Sequence, residues 1–129
     1  MTLLLDSTVL IDVLRGRPAA RRVLDAAAAG VPLLTTAINV EEIVRGARAT
    51  ELPAVDVLFG GLVVLEVTAQ DGRLAGQRRG ELARRGVTLH QADCLIAACA
   101  VRAGARLATG NPKDFPGLDV VVEHWPVGE

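Results

Sequence analysis

A chain of 129 residues is the size of one ordinary domain and buries about two-thirds of its unfolded surface around a single core, so neither disulfides nor a structural metal is required to hold it together. Half of it is hydrophobic, yet the aromatic residues are only Phe59, Phe115 and Trp125, which leaves the core to small aliphatic side chains. A net charge of -1 gives no general attraction to nucleic acid and argues against a simple electrostatic binder of DNA or RNA.

Leu3-Leu4-Leu5 is a short apolar run expected as a buried parallel strand, and it ends on Asp6-Ser7-Thr8, residues suited to a helix start. A helix to about Leu14, the break Arg15-Gly16-Arg17-Pro18 and a second helix over Ala19 to Ala29 follow. Leu33-Leu34-Thr35 predicts a second strand, Ala37 to Arg48 a third helix and Ala54 to Phe59 a shorter one that Gly60-Gly61 stops. Leu62 to Val67, dense in Val and Leu, predicts a strand covered on both faces. A long polar-rich helix opens at Thr68 or Asp71, runs to Arg85 and is closed by Gly86. The most apolar helix spans Ala92 to Ala103 and ends at Gly104 in a C-terminal cap position. Last strands are expected at Arg106 to Thr109 and Val120 to Glu123. This alternation argues for an α/β fold, a three-layer α/β/α sandwich on a short, mainly parallel sheet, as one domain over residues 1–129.

No apolar stretch approaches the roughly 20 residues that span a bilayer, and Met1-Thr2 enters the first strand without a basic leader or cleavage site, so a soluble cytoplasmic protein is expected. Cys94 and Cys99, five apart in one predicted helix, point to different sides and serve as small buried hydrophobes. All but one of the 14 basic residues are Arg, with pairs at Arg21-Arg22, Arg78-Arg79 and Arg84-Arg85, for which a solvated helix face outweighs phosphate binding.

Ligands of open α/β sheets gather beyond the carboxyl ends of the strands. Asp6 ends the first strand, and Asn111 and Asp114 follow Thr109 at the end of a later one. Singly, Asp6 could be a helix N-cap and Asp114 a turn acid. Asp93 is the only charge within Ala92 to Val101, and a carboxylate in so apolar a helix must be paired, bind a cation or sit at a mouth, unless the helix dipole alone explains it. On the third helix Ala37, Val40, Ile43, Val44 and Ala47 form the apolar stripe; Glu42 lies off it with Asn39 and Gly46, as solvent surface or a cleft wall, and periodicity does not choose between Glu41 and Glu42. Carboxylates converging on one spot need a hard divalent cation such as Mg²⁺ or Mn²⁺, and that combination hydrolyses phosphodiesters. No histidine is needed; His90 and His124 are isolated, as a loop donor and a tail residue.

These residues resemble the PIN domain and, within it, the VapC-type toxin ribonucleases of bacterial toxin-antitoxin pairs. The blocks LLLDSTVLID, TTAINVEEIVRGA, HQADCLIAACAVRAGARLATGN and NPKDFPGLDVV follow the family's order across nearly the whole chain. The resemblance implies catalytic, metal-binding acids at Asp6, Glu42, Asp93 and Asp114, with Glu42 preferred to Glu41 because the family places a Glu before an apolar pair and a Gly. It implies supporting hydroxyls at Thr8 and Thr109. Asn111 stands where some relatives carry Asp, so one metal or two is left open. Implied too are a Mg²⁺- or Mn²⁺-dependent endoribonuclease acting on transfer or ribosomal RNA, a homodimer, and a VapB-type antitoxin whose C-terminal segment blocks the site. The helices from Val9 to Ala29 and Ala37 to Phe59 are apolar enough to form a partner groove. With almost no aromatics for base stacking, RNA capture would rest on Arg and on shape. The alternatives are an inactive PIN fold that only binds RNA or protein, and a haloacid-dehalogenase-like phosphatase, disfavoured because its second acid would fall on Thr8 and little chain is left for a cap domain.

Overall fold

Three consecutive leucines can all be buried only where both faces of a strand are covered. The computed structural model, which describes residues 2–128, places them as β1 (Leu3–Leu5) at the centre of a five-stranded sheet of order β3-β2-β1-β4-β5. The flanking strands are β2 (Leu33–Thr36) and β4 (Arg106–Thr109), and the edges are β3 (Val63–Leu65) and β5 (Val122–His124). Every pairing is parallel, with Leu4 opposite Leu34 on one side and Leu107 on the other.

Parallel neighbours need crossover segments, and these supply the outer layers. Helices α1 (Ser7–Leu14) and α2 (Pro18–Ala28) join β1 to β2. Then α3 (Ala37–Gly46), a 3-10 turn at Ala49–Glu51 and α4 (Leu52–Gly60) lead to β3, and α5 (Ala69–Arg84) and α6 (Gln91–Arg102) return across the sheet to β4. Because the last crossover runs in the opposite direction, right-handedness sends its helices to the opposite face. Strand alternation then divides the core in two. Leu3, Leu5 and Ala108 pack with Val9, Leu10, Val23 and Ile43, while Leu4, Leu34 and Leu107 pack with Ile96, Ala97 and Ala100 of α6. The expected α/β/α sandwich is the observed one.

Several expectations shift. The strand expected at Leu62 to Val67 is shorter and lies at an edge, with Val63 58% and Val64 40% exposed. Its Val-rich composition satisfied the strand rule, but composition does not say which strand ends the sheet. The third helix stops at Gly46, two residues early, and α4 begins at Leu52 with Pro53 in its first turn, where a missing N–H costs nothing. The last strand starts at Val122, not Val120, and takes in His124, expected as a tail residue.

Both cysteines are buried as expected, but Cys99 also acts as a donor. Its Sγ gives a hydrogen bond to Asp71 Oδ2 at 3.3 Å, and Arg102 Nε donates to Asp71 Oδ1 at 2.8 Å. Burial and the Asp71 carboxylate push the Cys99 thiol up to about 12, so it stays protonated. Asp71 also closes the capping box of α5 with Thr68 and so ties the start of α5 to the end of α6. Burial alone would raise its carboxyl; Arg102, the Thr68 amide and Cys99 outweigh that and hold it at about 2. A carboxyl lowered on folding stabilises the protein fully above its unfolded pKa of 3.8 and loses that contribution as pH falls towards 2. Urea unfolding between pH 5 and 2 should therefore show Asp71→Asn with a weaker pH dependence than the parent, by about 2 kcal/mol across the window. Equal slopes would remove Asp71 as the source.

Candidate active site

The connections of β1 and β4 leave towards opposite sides of the sheet, which opens a crevice beyond their carboxyl ends. Asp6 sits there, the first residue after β1, and its amide donates to Ala108 O of β4 at 3.0 Å. It directly precedes α1, yet its carboxylate makes no capping bond to that helix. Instead Oδ2 accepts from Thr109 Oγ1 at 2.7 Å and from Thr8 Oγ1 at 3.3 Å. Both hydroxyls are turned by the chain leaving β4: Gly110 N donates to Thr8 Oγ1 at 2.9 Å and Asn111 N to Thr109 Oγ1 at 3.0 Å. The two threonines expected in support thus both contact Asp6. A Cβ at Gly110 would collide with the Val127 side chain, so a larger residue there would force the C-terminal segment to shift.

Asp114 closes a 3-10 turn, Pro112–Asp114, just past β4, and Asn111 is exposed ahead of it. Asp93 lies in the first turn of α6 and is half-buried. The acids feel one another. Burial, followed by the charges of Asp114, Asp6 and Glu42, pushes the Asp93 carboxyl up to about 6 against an opposing effect of His90. His90, expected as an isolated loop donor, is therefore an electrostatic neighbour of the cluster. Burial also raises Asp6, helped by Asp114 and opposed by the hydrogen bonds from Thr109, the Ser7 amide and Thr8. Helix-dipole stabilisation alone would have lowered Asp93, so burial, reinforced by the neighbouring acids, outweighs the dipole.

The third helix separates the two glutamates that periodicity left open. Glu41 is exposed and pairs with Arg45 one turn on, Nε donating to Oε1 at 3.1 Å. Glu42 turns inward to α1, where Ser7 Oγ donates to its Oε1 at 2.8 Å. With Gly46, Ile11, Leu14 and Ile43 it lines a cleft of about 180 Å³, so the cleft-wall alternative is the observed one. The apolar stripe is rotated from expectation: Ala37 and Val44 are exposed, and the helix buries Asn39 and Ile43. Two polar residues escaped the sequence reasoning. Asn39 donates through Nδ2 to Ser7 Oγ at 3.0 Å and to Asp6 Oδ1 at 3.5 Å. An Asn inside a helix, three residues ahead of a candidate acid, was the available sign, since Asn is a weak helix former kept for its hydrogen bonds. Nothing in the sequence distinguished Ser7 from an ordinary first-turn serine.

All-oxygen donors, two of them with carboxyl groups raised by burial and mutual repulsion, are the chemistry that a hard divalent cation relieves. Among the described residues, no three His, Cys, Asp or Glu side chains are arranged to cage an ion as they stand. What links the four acids is the charge that Asp114, Asp6 and Glu42 place on Asp93. Of the paired arginines, Arg21 bonds Asp25 on an exposed helix face and Arg78 bonds Asp119 and Glu81, while Arg79 donates to Leu89 O.

The family model of the PIN domain matches residues 3–120. Ribonuclease VapC19 of Mycobacterium tuberculosis is 34% identical over 116 residues, which cover 88% of this chain and 91% of that protein. Ribonuclease VapC10 of the same species is 35% identical over 114 residues, covering 88% and 86%. Among solved structures, the DNA-bound VapBC of Salmonella typhimurium superposes with a TM-score of 0.82 at 26% identity over 97% of this chain and 98% of the other. The chain belongs to the PIN-domain family and, within it, to the VapC ribonucleases.

Proposed function

We propose that this chain is a Mg²⁺- or Mn²⁺-dependent endoribonuclease, the toxin of a type II toxin-antitoxin pair, working in the cytoplasm on structured RNA such as transfer or ribosomal RNA. The observation that carries this reading is Asp93 beside Asp6 at the switch point of a PIN fold, raised to about 6 by burial first and then by the charges of Asp114, Asp6 and Glu42. These acids are the proposed metal ligands, and Asn111, at the rim, takes a supporting polar role. When bound, the cation supplies charge neutralisation and lowers the proton affinity of water beside the phosphodiester. The protein supplies the rest. Thr109 and Thr8 hold Asp6 in one orientation, Ser7 does the same for Glu42, and the buried floor beneath Asp6 limits water. Phe115 and Trp125 are buried and Phe59 packs partly against the core, which leaves RNA binding mainly to arginines and shape.

The cleft beside Glu42 supports a VapB-type antitoxin as partner. Ile11 and Leu14 of α1 and Ile43 and Ala47 of α3 line it together with Arg15 and Glu51, a partly apolar slot that leads to a candidate catalytic acid. A segment seated there by its apolar side chains would reach the site and block it. A homodimer remains part of the proposal, as in the family resemblance.

Three outcomes test the reading. The purified chain should cleave RNA with Mg²⁺ or Mn²⁺ and lose the activity in excess chelator, and Asp6→Asn or Asp93→Asn should lower the cleavage rate by at least about a hundredfold; full activity in chelator would sink the metal model. A carboxyl raised to about 6 from 3.8 has its charged form disfavoured by the fold, so its contribution to stability is present below pH 3.8 and lost as pH rises through 6. Asp93→Asn should therefore melt at a higher temperature than the parent at pH 7.5 without metal, and the gap should shrink at pH 4; an unchanged gap would argue against a raised Asp93 carboxyl. For the antitoxin, Ile11→Asp should weaken binding of the protein encoded beside this chain by about tenfold or more in calorimetry while RNA cleavage persists.

A further inference from the structure

Asn39 occupies the third position of α3 at 0% exposure, where every polar atom of its amide must be satisfied or cost stability. Its Oδ1 accepts from Thr36 N at 3.2 Å and from Thr36 Oγ1 at 2.7 Å, which closes the capping box of the helix. The Thr36 amide can only donate, so Oδ1 must face it and Nδ2 must face the other way, towards Ser7 and Asp6. Capping does not require this second half. In α5 the equivalent box is closed by a carboxylate, Asp71 with Thr68, which serves the cap with acceptors alone. What the amide adds at position 39 is a buried donor aimed out of the helix.

That donor sets the next bond. Ser7 Oγ receives Nδ2 at 3.0 Å and gives its single proton to Glu42 Oε1 at 2.8 Å. Glu42 is the longest of the three residues and the one that lines the cleft, and a glutamate without a fixed donor spreads over several rotamers. We propose that Asn39 and Ser7 are positioning residues, a relay that fixes the Glu42 carboxylate relative to Asp6 and thereby sets the turnover rate without either residue touching RNA. The inference rests on the ribonuclease reading of the site. Holding a reacting group to within a fraction of an ångström is a rate effect, not a binding effect, so kcat carries it.

The test uses the full chain and its Ser7→Ala, Ser7→Thr and Asn39→Asp variants. Ser7→Ala should lower kcat for RNA cleavage by about 10- to 100-fold with KM within about twofold, Ser7→Thr should recover most of the rate, and Asn39→Asp, which keeps the cap, should resemble Ser7→Ala. In a Glu42→Gln background Ser7→Ala should cost much less than it does alone. The relay is overturned if Ser7→Ala keeps the parental kcat, if only KM changes, or if its loss is the same in the Glu42→Gln background. A second readout is independent of activity: the carboxyl carbon resonance of Glu42 should move in both Ser7→Ala and Asn39→Asp and return in Ser7→Thr. Should the parent cleave no RNA with any divalent metal, the ribonuclease reading fails, and the resonance alone decides: if it moves, the relay stands as a device that orients Glu42; if it stays, the relay is overturned as well.

Discussion

A carboxylate buried where β1 and β4 part is expensive, and the neighbourhood of Asp6 is organised around that cost. Burial drives its carboxyl upward while Thr109, the Ser7 amide and Thr8 pull it back. The compensation comes from hydroxyls and amides, and among the described residues no arginine or lysine is paired to it. An opposing cation of the protein's own would have stabilised Asp6 better and cancelled the negative charge that the proposed metal would meet. In the proposed enzyme, the charge left unneutralised is what the metal binds.

The same economy explains which acids of the chain are paired. Asp12 and Asp71 are as buried as Asp6, and each has an arginine: Arg17 at 3.4 Å and Arg102 at 2.8 Å. Asp12 also accepts from Gly128 N at 3.0 Å, which secures the C-terminal segment whose Val127 packs on Gly110. Asp71 ties α5 to α6. These two acids are structural, and the fold lowers the carboxyl of Asp71 where it raises those of Asp6 and Asp93. Opposite shifts of chemically identical groups separate supporting acids from candidate functional ones.

Placement of the site on element ends gives it both rigidity and access. Asp6 and Thr109 end adjacent parallel strands, Asp93 opens a helix of the far layer and Glu42 rides on a helix of the near layer. Each is therefore anchored in packed structure on at least one side, and the cleft between α1 and α3 reaches Glu42.

Strand and helix order, the parallel sheet and the prominence of Asp6 and Asp93 were legible in the sequence because they depend on local patterns. Three apolar residues before an acid, or one charge in a run of alanines and aliphatics, carry their meaning without long-range information. Tertiary structure decided the rest. Which strand lies at the edge depends on how crossovers close, so the valines of β3 were misassigned to a covered position. The rotation of α3 depends on what it packs against, so Asn39 proved buried, and Glu42, not Glu41, turned inward, a choice that periodicity left open and only the family resemblance anticipated. Hydrogen bonds between residues over 30 positions apart, such as Asn39 to Ser7 and Thr109 to Asp6, leave no trace in the linear pattern, because they arise only when the strand ends are brought side by side.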